Sequence, residues 1–385
     1  MKIVFVSNYY NHHQSALSNA LYELTHGDYV FIQTEKMPEE RKKLGWGMTQ
    51  LPKYVKESYL DFNSHNECVK LIDDADLVIT GSAPENLLIN RVKSGKLLFR
   101  YSERLYKSKK QWLRLPVHFI KGVLSHIYSK SSYLLCASAY TAADYGKNCA
   151  YIEKAYKWGY FPELKKYDIK RLISSKKHNS LLWVGRFIDW KHPEYAVFVA
   201  EYLKERGYSF HLYMIGTGPL VDKIQKLVEE KGVAEYVYLT GAMSPDKVRT
   251  YMEESTIFLY TSDFNEGWGV VLNEAMNSGC AAIASHAIGA VPFLIKDKEN
   301  GLIYKNGNLT DFYEKVEYLL INPNITSIYG ENAYFTISQT WNAEVAAERL
   351  ICLANKILEG EKKPVLYAVG PCSDAEKLKN SWYKS

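Results

Sequence analysis

Short apolar runs rich in β-branched and aromatic residues recur along this chain of 385 residues, and stretches with apolar residues at helical spacing separate them. This alternation predicts parallel β-sheets, because parallel neighbours need a crossover connection that is usually a helix. The first series of predicted strands covers residues 3–7, 29–33, 77–80, 97–101 and 133–137. The second series covers residues 181–185, 211–215, 237–240, 257–260 and 281–284. Two α/β domains in tandem are therefore predicted.

The length also favours two domains, because a single hydrophobic core rarely serves more than about 250–300 residues. We predict that residues 155–162 and the charged stretch 165–177 link the two domains. A helix-like segment follows the second series at 342–358, and the tail beyond Glu361 is polar with isolated aromatic residues.

The composition is that of a globular protein with a modest net charge of +5. No apolar run reaches the roughly 18 residues that span a bilayer, and the first residues lack the apolar core and cleavage site of a signal peptide. We therefore predict a cytoplasmic protein. Its six cysteines include no Cys-x-x-Cys pair, so neither a zinc site nor a disulfide framework is predicted.

Residues 91–130 have an uneven charge, with eleven lysines and arginines against one acid, Glu103. Six aromatic residues lie among these cations. The mixture suits contact with an anionic membrane surface, and a solvated basic face is the alternative. No nucleic-acid-binding motif accompanies the segment, so a nucleic-acid partner is not predicted.

Glu266 and Glu274, with seven residues between them, flank a glycine turn that follows an apolar strand and precedes a helical pattern. Backbone amides at the start of a helix suit a phosphate. The two carboxylates would repel a phosphate, so we expect them to accept hydrogen bonds from hydroxyls. Glu274 is assigned to a ribose diol and Glu266 to a second polyol.

Arg186 and Lys191 follow the first strand of the second series, and a helix is predicted to begin at Pro193. Ligands of doubly wound sheets bind at the carboxyl ends of strands, where two cations can neutralise a diphosphate. The alternative is that both are ordinary surface charges.

The run Gly216-Thr217-Gly218 resembles half of a dinucleotide fingerprint, but Val221 occupies the place of the third glycine, so a nicotinamide cofactor is not predicted. The glycines either bring the backbone close to a nucleotide or permit a tight turn. Ala242 and Met243 follow the next strand and are candidates for the wall of a base pocket.

The first loop of the chain is dense in polar residues and is predicted to face the cleft between the domains and to contact the acceptor or the phosphates, with surface histidines as the alternative. Its candidate contacts are Asn8, His12, His13 and Gln14. Glu103 follows the fourth strand and is a further candidate, with pairing to Arg100 or Arg104 as the alternative. Asp74 and Asp76 have the spacing of a metal motif, but they mark a solvated strand entry, so no metal is predicted.

Several of these features resemble a known family when taken together. They are Gly185, Arg186 and Lys191, the turn at 216–218, Gly241, the E-x7-E segment from Glu266 to Glu274, and the run Gly289-Ala290-Val291-Pro292. Over approximately residues 180–340 the chain resembles retaining glycosyltransferases of family 4, whereas the first domain shares only their βα pattern.

The resemblance implies the GT-B fold, in which two Rossmann-like domains face each other across a cleft and a C-terminal helix crosses back to the first domain. The implied divisions are an acceptor-binding domain at 1–164, a nucleotide-sugar-binding domain at 165–340, and the crossover helix with its tail at 341–385.

The resemblance also implies roles for site residues. Arg186 and Lys191 bind the donor diphosphate, Glu274 holds the ribose, and Glu266 contacts the transferred sugar. The remaining implied donor-site residues are Gly185, Gly216, Gly218, Ala242, Met243, Gly267, Trp268, Gly269 and Val270. The implied reaction retains anomeric configuration by front-face attack and needs neither metal nor cofactor.

The chain departs from the family on the acceptor side. Many relatives carry a Gly-Gly pair in the first loop and a histidine after the fourth strand, where this chain has His12-His13-Gln14 and Arg100-Tyr101-Ser102-Glu103. The acceptor is therefore not predicted in detail.

We predict transfer of a sugar from a UDP-sugar to a glycan or lipid-linked glycan at the cytoplasmic membrane face, in cell-surface polysaccharide synthesis. Two alternatives stay open. One is a nucleotide-sugar-binding partner subunit without transfer activity, and the other is a hydrolysing sugar-nucleotide epimerase.

Overall fold

The computed structural model describes residues 1–39, 47, 50–107, 113, 115–123 and 125–384. The chain divides into two compact units. The first comprises Met1–Glu163 and Trp341–Lys379, and the second comprises Leu164–Thr340 and Asn380–Ser385. The prediction placed all of 341–385 with the first unit, whereas the residues from Asn380 onward group with the second.

The first unit contains a seven-stranded parallel sheet in the order β3-β2-β1-β4-β5-β6-β7. Its strands are β1 Ile3–Ser7, β2 Tyr29–Gln33, β3 Val55–Glu57, β4 Leu77–Thr80, β5 Leu98–Ser102, β6 Ser132–Cys136 and β7 Ala155–Lys157. Its helices are α1 His12–Leu24, α2 Phe62–Asp74, α3 Ile89–Lys93, α4 Leu115–Val123 and α5 Thr141–Gly146, with α14 Ala343–Leu358 from the later part of the chain. Short 3₁₀ turns occupy Glu85–Leu88 and His126–Tyr128.

The second unit contains a six-stranded parallel sheet in the order β10-β9-β8-β11-β12-β13. Its strands are β8 Ser180–Val184, β9 His211–Ile215, β10 Val237–Gly241, β11 Ile257–Tyr260, β12 Ala281–Ser285 and β13 Gly301–Tyr304. Its helices are α6 Ile169–Ser175, α7 Pro193–Glu205, α8 Val221–Glu230, α9 Pro245–Glu254, α10 Val271–Asn277, α11 Val291–Leu294, α12 Leu309–Ile321 and α13 Pro323–Gln339, and Asp189–Lys191 forms a 3₁₀ turn.

The two predicted parallel sheets are confirmed, and each predicted strand is present within a residue or two. One prediction was wrong, because part of the stretch 155–162 is not a linker. Residues Ala155–Lys157 pair with β6 as the edge strand of the first sheet, and Ala155 and Tyr156 are buried.

The core of the second unit explains why its strands have nearly continuous apolar sequences. Leu181, Trp183, Leu212 and Ile283 are buried in one cluster with the inner faces of α7 and α12. Helices cover a parallel sheet on both faces, so side chains that alternate along a strand are buried whichever face they take.

Helix α14 belongs to the first unit, where it packs against α1. Asn342 caps its start, because Oδ1 accepts a hydrogen bond from the Val345 N–H at 3.0 Å. Across the part of the chain that the structure describes, no helix combines the length and the apolar character that a membrane crossing requires.

Candidate functional site

Five loops of the second unit follow the carboxyl ends of parallel strands and therefore lie at one edge of the sheet. The loops after β8, β9, β10 and β11 and the start of α10 carry the predicted donor-site residues, and the loop after β12 carries the run 289–292 that contributes to the family resemblance. Strands β8 and β11 are neighbours, so the loops that begin at Gly185 and Thr261 lie side by side. Arg186 is exposed in the first of these loops. This edge is where doubly wound sheets bind ligands.

Lys191 and Glu266 form an ion pair across these two loops. The side chains of both residues are only slightly exposed, at 12% and 11%. The Glu266 carboxylate also accepts a hydrogen bond from the Ser262 hydroxyl at 3.0 Å. The sequence pattern predicts contacts of the two residues with different parts of a donor, but they are direct partners in this structure. A ligand phosphate that binds Lys191 must therefore compete with Glu266.

The backbone around Lys191 is fixed by buried polar groups. The Thr261 hydroxyl donates to the Lys191 carbonyl at 2.6 Å and accepts from the Trp183 indole N–H at 2.8 Å. The Asp263 N–H donates to the Trp190 carbonyl at 3.0 Å. A core tryptophan thus holds together the two loops that carry the ion pair, and such support keeps a charged site preorganised.

His192 is a site residue that was not predicted from the sequence. Its backbone is left-handed, with φ +47°, at the start of α7. Its Nδ1 lies 2.9 Å from Oε1 of Glu194, and its Nε2 lies 3.7 Å from Oδ2 of Asp263. Burial lowers the pKa of His192, but the interactions with Asp263 and Glu194 outweigh burial and raise the pKa to about 9. A protonated His192 therefore joins the two loops a second time.

We expect the second unit to lose stability in alkaline solution, because the stabilising contribution of protonated His192 is lost there. Its pKa rises on folding from 6.5, so its contribution is fully present below about pH 6.5 and is lost as the pH passes about 9. The loss should be on the order of 2 kcal/mol, and His192→Asn should remove this pH dependence. Asparagine is suitable because it tolerates left-handed backbone.

The test is the free energy of unfolding from denaturant titrations at several pH values in that range. His211→Asn changes an exposed histidine of the same unit and serves as the control. An equal alkaline decline in wild type and His192→Asn would contradict the expectation.

Close packing explains why glycines occupy positions 216 and 218 in the turn after β9. Gly216 has φ +139°, and a Cβ there would lie 1.9 Å from the Gly185 carbonyl oxygen. A Cβ at Gly218 would lie 2.5 Å from the Phe187 carbonyl oxygen. The backbone of this turn thus passes close to the loop after β8, as the Phe187 N–H to Thr217 carbonyl hydrogen bond of 3.0 Å shows. Contact with a nucleotide stays a prediction.

Glu274 lies in the first turn of α10 and is partly buried. Burial raises the pKa of its carboxyl, and Arg249 opposes this effect. The Arg249 guanidinium donates to the Glu274 carbonyl at 2.9 Å and to Oδ1 of Asn277 at 3.1 Å. Arg249, which the sequence analysis did not identify, therefore fixes the helix that carries Glu274.

The residues between the two glutamates differ in their exposure. Gly267 and Trp268 are buried, whereas Gly269 and Val270 are partly exposed. The Trp268 indole N–H donates to Oδ1 of Asn273 at 2.9 Å, so its side chain belongs to the core. Only the backbone of Trp268 fits the predicted donor contact. In the base-pocket candidates after β10, Ala242 is exposed and Met243 partly exposed.

The loop after β1 in the first unit is organised around the start of α1. Oδ1 of Asn11 accepts from the His13 N–H at 2.9 Å, and Oε1 of Gln14 accepts from the Asn11 N–H at 3.2 Å. This capping box engages the Gln14 side chain. The ring centroids of His12 and His13 lie 3.8 Å apart. Burial is the main cause that lowers the pKa of His13, and the charge of His12 adds to it, so that the pKa is about 3. Acceptor roles for Asn8 and these residues stay predictions.

Glu103 follows β5 at the corresponding edge of the first sheet. Its carboxylate oxygens lie 3.1 Å from Lys107 Nζ and 3.1 Å from the Tyr160 hydroxyl. The alternative that Glu103 pairs with Arg100 or Arg104 was wrong. Arg100 instead pairs with Glu85 at 3.3 Å, and Arg104 pairs with Asp144 at 3.5 Å.

Asp76 in the Asp-x-Asp sequence accepts the Lys2 backbone N–H at 2.7 Å. Its carboxylate thus ties the entry of β4 to the start of β1. No group of three metal-binding side chains occurs among the described residues.

Comparison with known proteins identifies a family and several relatives of this chain. Residues 165–335 match the family described as Glycosyl transferases group 1. A poly(ribitol-phosphate) alpha-N-acetylglucosaminyltransferase of Staphylococcus aureus is 29% identical over 45% of this chain and 34% of its own length. An alpha-D-kanosaminyltransferase of Streptomyces kanamyceticus is 24% identical over 51% of this chain and 50% of its own length. The matches thus span a third to a half of these relatives.

Solved structures resemble a larger part of the chain. HepE of Anabaena, solved with UDP and glucose, has a TM-score of 0.65 at 14% identity and covers 94% of this chain and 100% of its own. TarM has a TM-score of 0.66 at 14% identity, covering 92% of this chain and 99% of its own. The likeness shows that the fold is GT-B.

Proposed function

Because residues 165–335 carry the domain of the glycosyl transferases group 1 family, we propose that this protein transfers a sugar from a nucleoside diphosphate donor to a hydroxyl group of a glycan or lipid-linked glycan. The observation that supports this most directly is the Lys191–Glu266 ion pair at the carboxyl edge of the second sheet. Arg186 is exposed on the same loop as Lys191. Together they supply two cations for a diphosphate and one carboxylate for a sugar.

In the proposed reaction, Arg186 and Lys191 bind the diphosphate, and Glu266 contacts the sugar. The bond from the anomeric carbon to the diphosphate oxygen breaks, and a bond to the acceptor oxygen forms on the same face. The acceptor proton passes to the departing diphosphate oxygen, so the products are a glycoside of retained configuration and a nucleoside diphosphate. Fixed charges that match the charges developing in the transition state supply the catalysis.

Glu274 is the proposed partner of the ribose hydroxyls, and the backbone of Gly267–Val270 is proposed to contact sugar and phosphate. We propose that no metal or cofactor takes part, since two cations are available for the leaving group. Transfer in the presence of a chelator should equal transfer with added Mg²⁺. A fall in the chelated sample that Mg²⁺ reverses would contradict this part.

We propose a UDP-sugar as the donor. Two structural relatives support this choice, since HepE was solved with UDP and glucose and TarM with UDP and alpha-GlcNAc-glycerol. A more distant relative in Mycobacterium tuberculosis is GDP-mannose-dependent, so the base needs a direct test. The poly(ribitol-phosphate) activity of the Staphylococcus aureus relative supports a role in cell-surface polysaccharide synthesis.

The experiment is a melting-temperature screen with UDP-, GDP- and ADP-sugars, followed by product analysis on a panel of glycan acceptors. A donor at 100 times its Kd should stabilise the fold by about 2.7 kcal/mol. Transfer to an acceptor supports the proposal. UDP binding without turnover would instead indicate a partner subunit, and free UDP with an altered sugar would indicate an epimerase.

We also propose that the protein acts at the inner face of the membrane, with contact through part of residues 91–130. Arg91, Arg100 and Arg104 cannot contribute as predicted, because they make internal hydrogen bonds and ion pairs. Lys109, Lys110 and Arg114 lie outside the described residues. The contact is assigned instead to α4, whose Val117, Phe119, Ile120 and Val123 are 46–59% exposed.

The charge around α4 matches an anionic surface. No Asp or Glu occurs between Glu103 and Asp144, and Lys121 and Lys130 are exposed. Apolar side chains beside cations are the combination that binds anionic bilayers at their surface.

We expect the double variant Val117→Asp and Ile120→Asp to weaken binding to phosphatidylglycerol vesicles by at least about tenfold. The reason is that each apolar side chain that enters the bilayer contributes about 1.5 kcal/mol or more to the binding free energy. Vesicle co-sedimentation at low salt measures this. Ile328→Asp, at a 55% exposed site in α13, is the matched control. Equal binding by the double variant and the control would contradict the membrane contact and leave the donor proposal untouched.

A further inference from the structure

The segment Asn380–Lys384, which we call the return segment, packs against the second unit after the chain has completed α14 of the first. The Tyr383 hydroxyl donates to the Ile303 carbonyl and accepts from Lys315 Nζ at 3.3 Å. The Tyr383 ring stacks on the His286 ring with centroids 5.9 Å apart, and the Trp382 ring lies 6.3 Å from it. Several contacts of different kinds thus hold this short irregular segment in place.

His286 is the main partner of the return segment, and its hydrogen bonds specify one tautomer. Nδ1 accepts the Asn306 backbone N–H at 2.9 Å, so the proton resides on Nε2. Nε2–H donates to the Asn380 carbonyl at 3.2 Å. The His286 backbone N–H donates to the Tyr304 carbonyl at 2.9 Å. The neutral ring therefore joins the end of β12, the turn after β13 and the return segment.

His286 also contacts the loop that carries Glu266. Its ring meets the Phe264 ring edge-on, with centroids 5.5 Å apart and an interplanar angle of 87°. At the other end of the same short loop after β12, the Gly289 N–H donates to the Glu266 carbonyl at 3.3 Å. The residues from His286 to Gly289 thus contact the Glu266 loop at two points.

We propose that the return segment is a positioning element for Glu266, acting through His286 and the loop after β12. The proposal rests on the proposed function, because it assigns Glu266 to the transferred sugar. Tyr383 and His286 are positioning residues in it and do not contact the donor. A displacement of a catalytic group by about 1 Å can lower a rate about 10²-fold. Contacts that hold the Glu266 loop in position can therefore affect turnover even though they do not touch the donor.

The test uses Tyr383→Ala and Tyr383→Phe in the full chain. We expect Tyr383→Ala to lower kcat by about tenfold, with the donor KM changed less than about twofold, because Thr261 and Trp183 still hold the backbone of Lys191 in place. Tyr383→Phe keeps the ring against His286 and should recover most of the rate. Tyr318→Ala removes a 40% exposed tyrosine from α12 and is the matched control.

Hydrogen exchange provides the measurement that does not depend on activity. In Tyr383→Ala, amides of residues 262–266 and 286–290 should exchange faster than in wild type, and in Tyr318→Ala they should not. Unchanged exchange in both segments would overturn the proposal, as would faster exchange with an unchanged kcat. If the wild type shows no transfer, the proposed function fails, and with it the role of the return segment in catalysis. Hydrogen exchange would still decide whether the return segment positions the Glu266 loop.

Discussion

Glu266→Gln is expected to lower the rate of sugar transfer by about 10²–10³-fold, with the donor still bound. The substitution keeps the shape of the side chain and removes its charge. Glu266 lies in the loop after β11, where its carboxylate pairs with Lys191 and accepts from the Ser262 hydroxyl. We attribute the loss to a transition state in which positive charge develops on the sugar ring without its carboxylate.

The rate is measured as product formed with the donor and acceptor that the screen identifies, and binding as the donor-induced rise in melting temperature. Glu299→Gln is the control, because Glu299 also pairs with a lysine but is 54% exposed. A rate within about threefold of wild type would remove Glu266 from the mechanism.

Loss of the carboxylate also leaves Lys191 without its main partner, and breaking a buried ion pair costs about 3–5 kcal/mol. The double variant Glu266→Gln with Lys191→Met separates this effect from catalysis. It should recover stability relative to Glu266→Gln and should not recover transfer.

Arg91→Met is expected to destabilise the first unit by about 3–5 kcal/mol, because each buried carbonyl left without a donor costs about 1–3 kcal/mol. Arg91 is fully buried, and its guanidinium donates to the carbonyls of Ile72 and Ala75 at 2.8 Å, Asp76 at 3.0 Å and Leu97 at 3.0 Å. It thereby satisfies the backbone carbonyls at the end of α2 and at the entry to β5. Methionine would occupy a similar volume and leave these buried carbonyls without donors.

Lys93→Met, on the exposed side of the same helix, is the control and should change stability by less than about 0.5 kcal/mol. Denaturant-dependent hydrogen exchange in α2 measures the first unit separately. Equal stabilities of the two variants would show that backbone carbonyls around Arg91 find other donors.

The fold could be predicted where strands are long and covered on both faces. Residues 181–184 are four consecutive apolar side chains in the middle of the second sheet, and such a run admits few alternatives. The strands β3 and β7 were not predicted, because each has three residues at a sheet edge. The strand β13 was not predicted either, because it follows a charged turn and begins with a glycine.

The candidate site could be predicted to the level of a sheet edge. The parallel topology places both loops at one edge of the sheet, but the structure was needed to show that β8 and β11 are neighbours and that Lys191 pairs with Glu266. His192 and Arg249 were missed because their importance lies in partners distant along the sequence, Asp263 and Asn277. The pattern also could not show that the Trp268 side chain is a core residue, because glycines flank it on both sides.

The first unit is formed by two separate stretches of the chain, and this has a consequence for engineering. Residues 1–163 lack α14, which packs against α1, so a first unit exchanged between relatives has to bring 341–379 with it. A chimera joined once, near residue 164, would unite an α1 from one parent with an α14 from the other. Such hybrids should express poorly unless the helix pair comes from a single parent, and two junctions flanking 341–379 should restore yield.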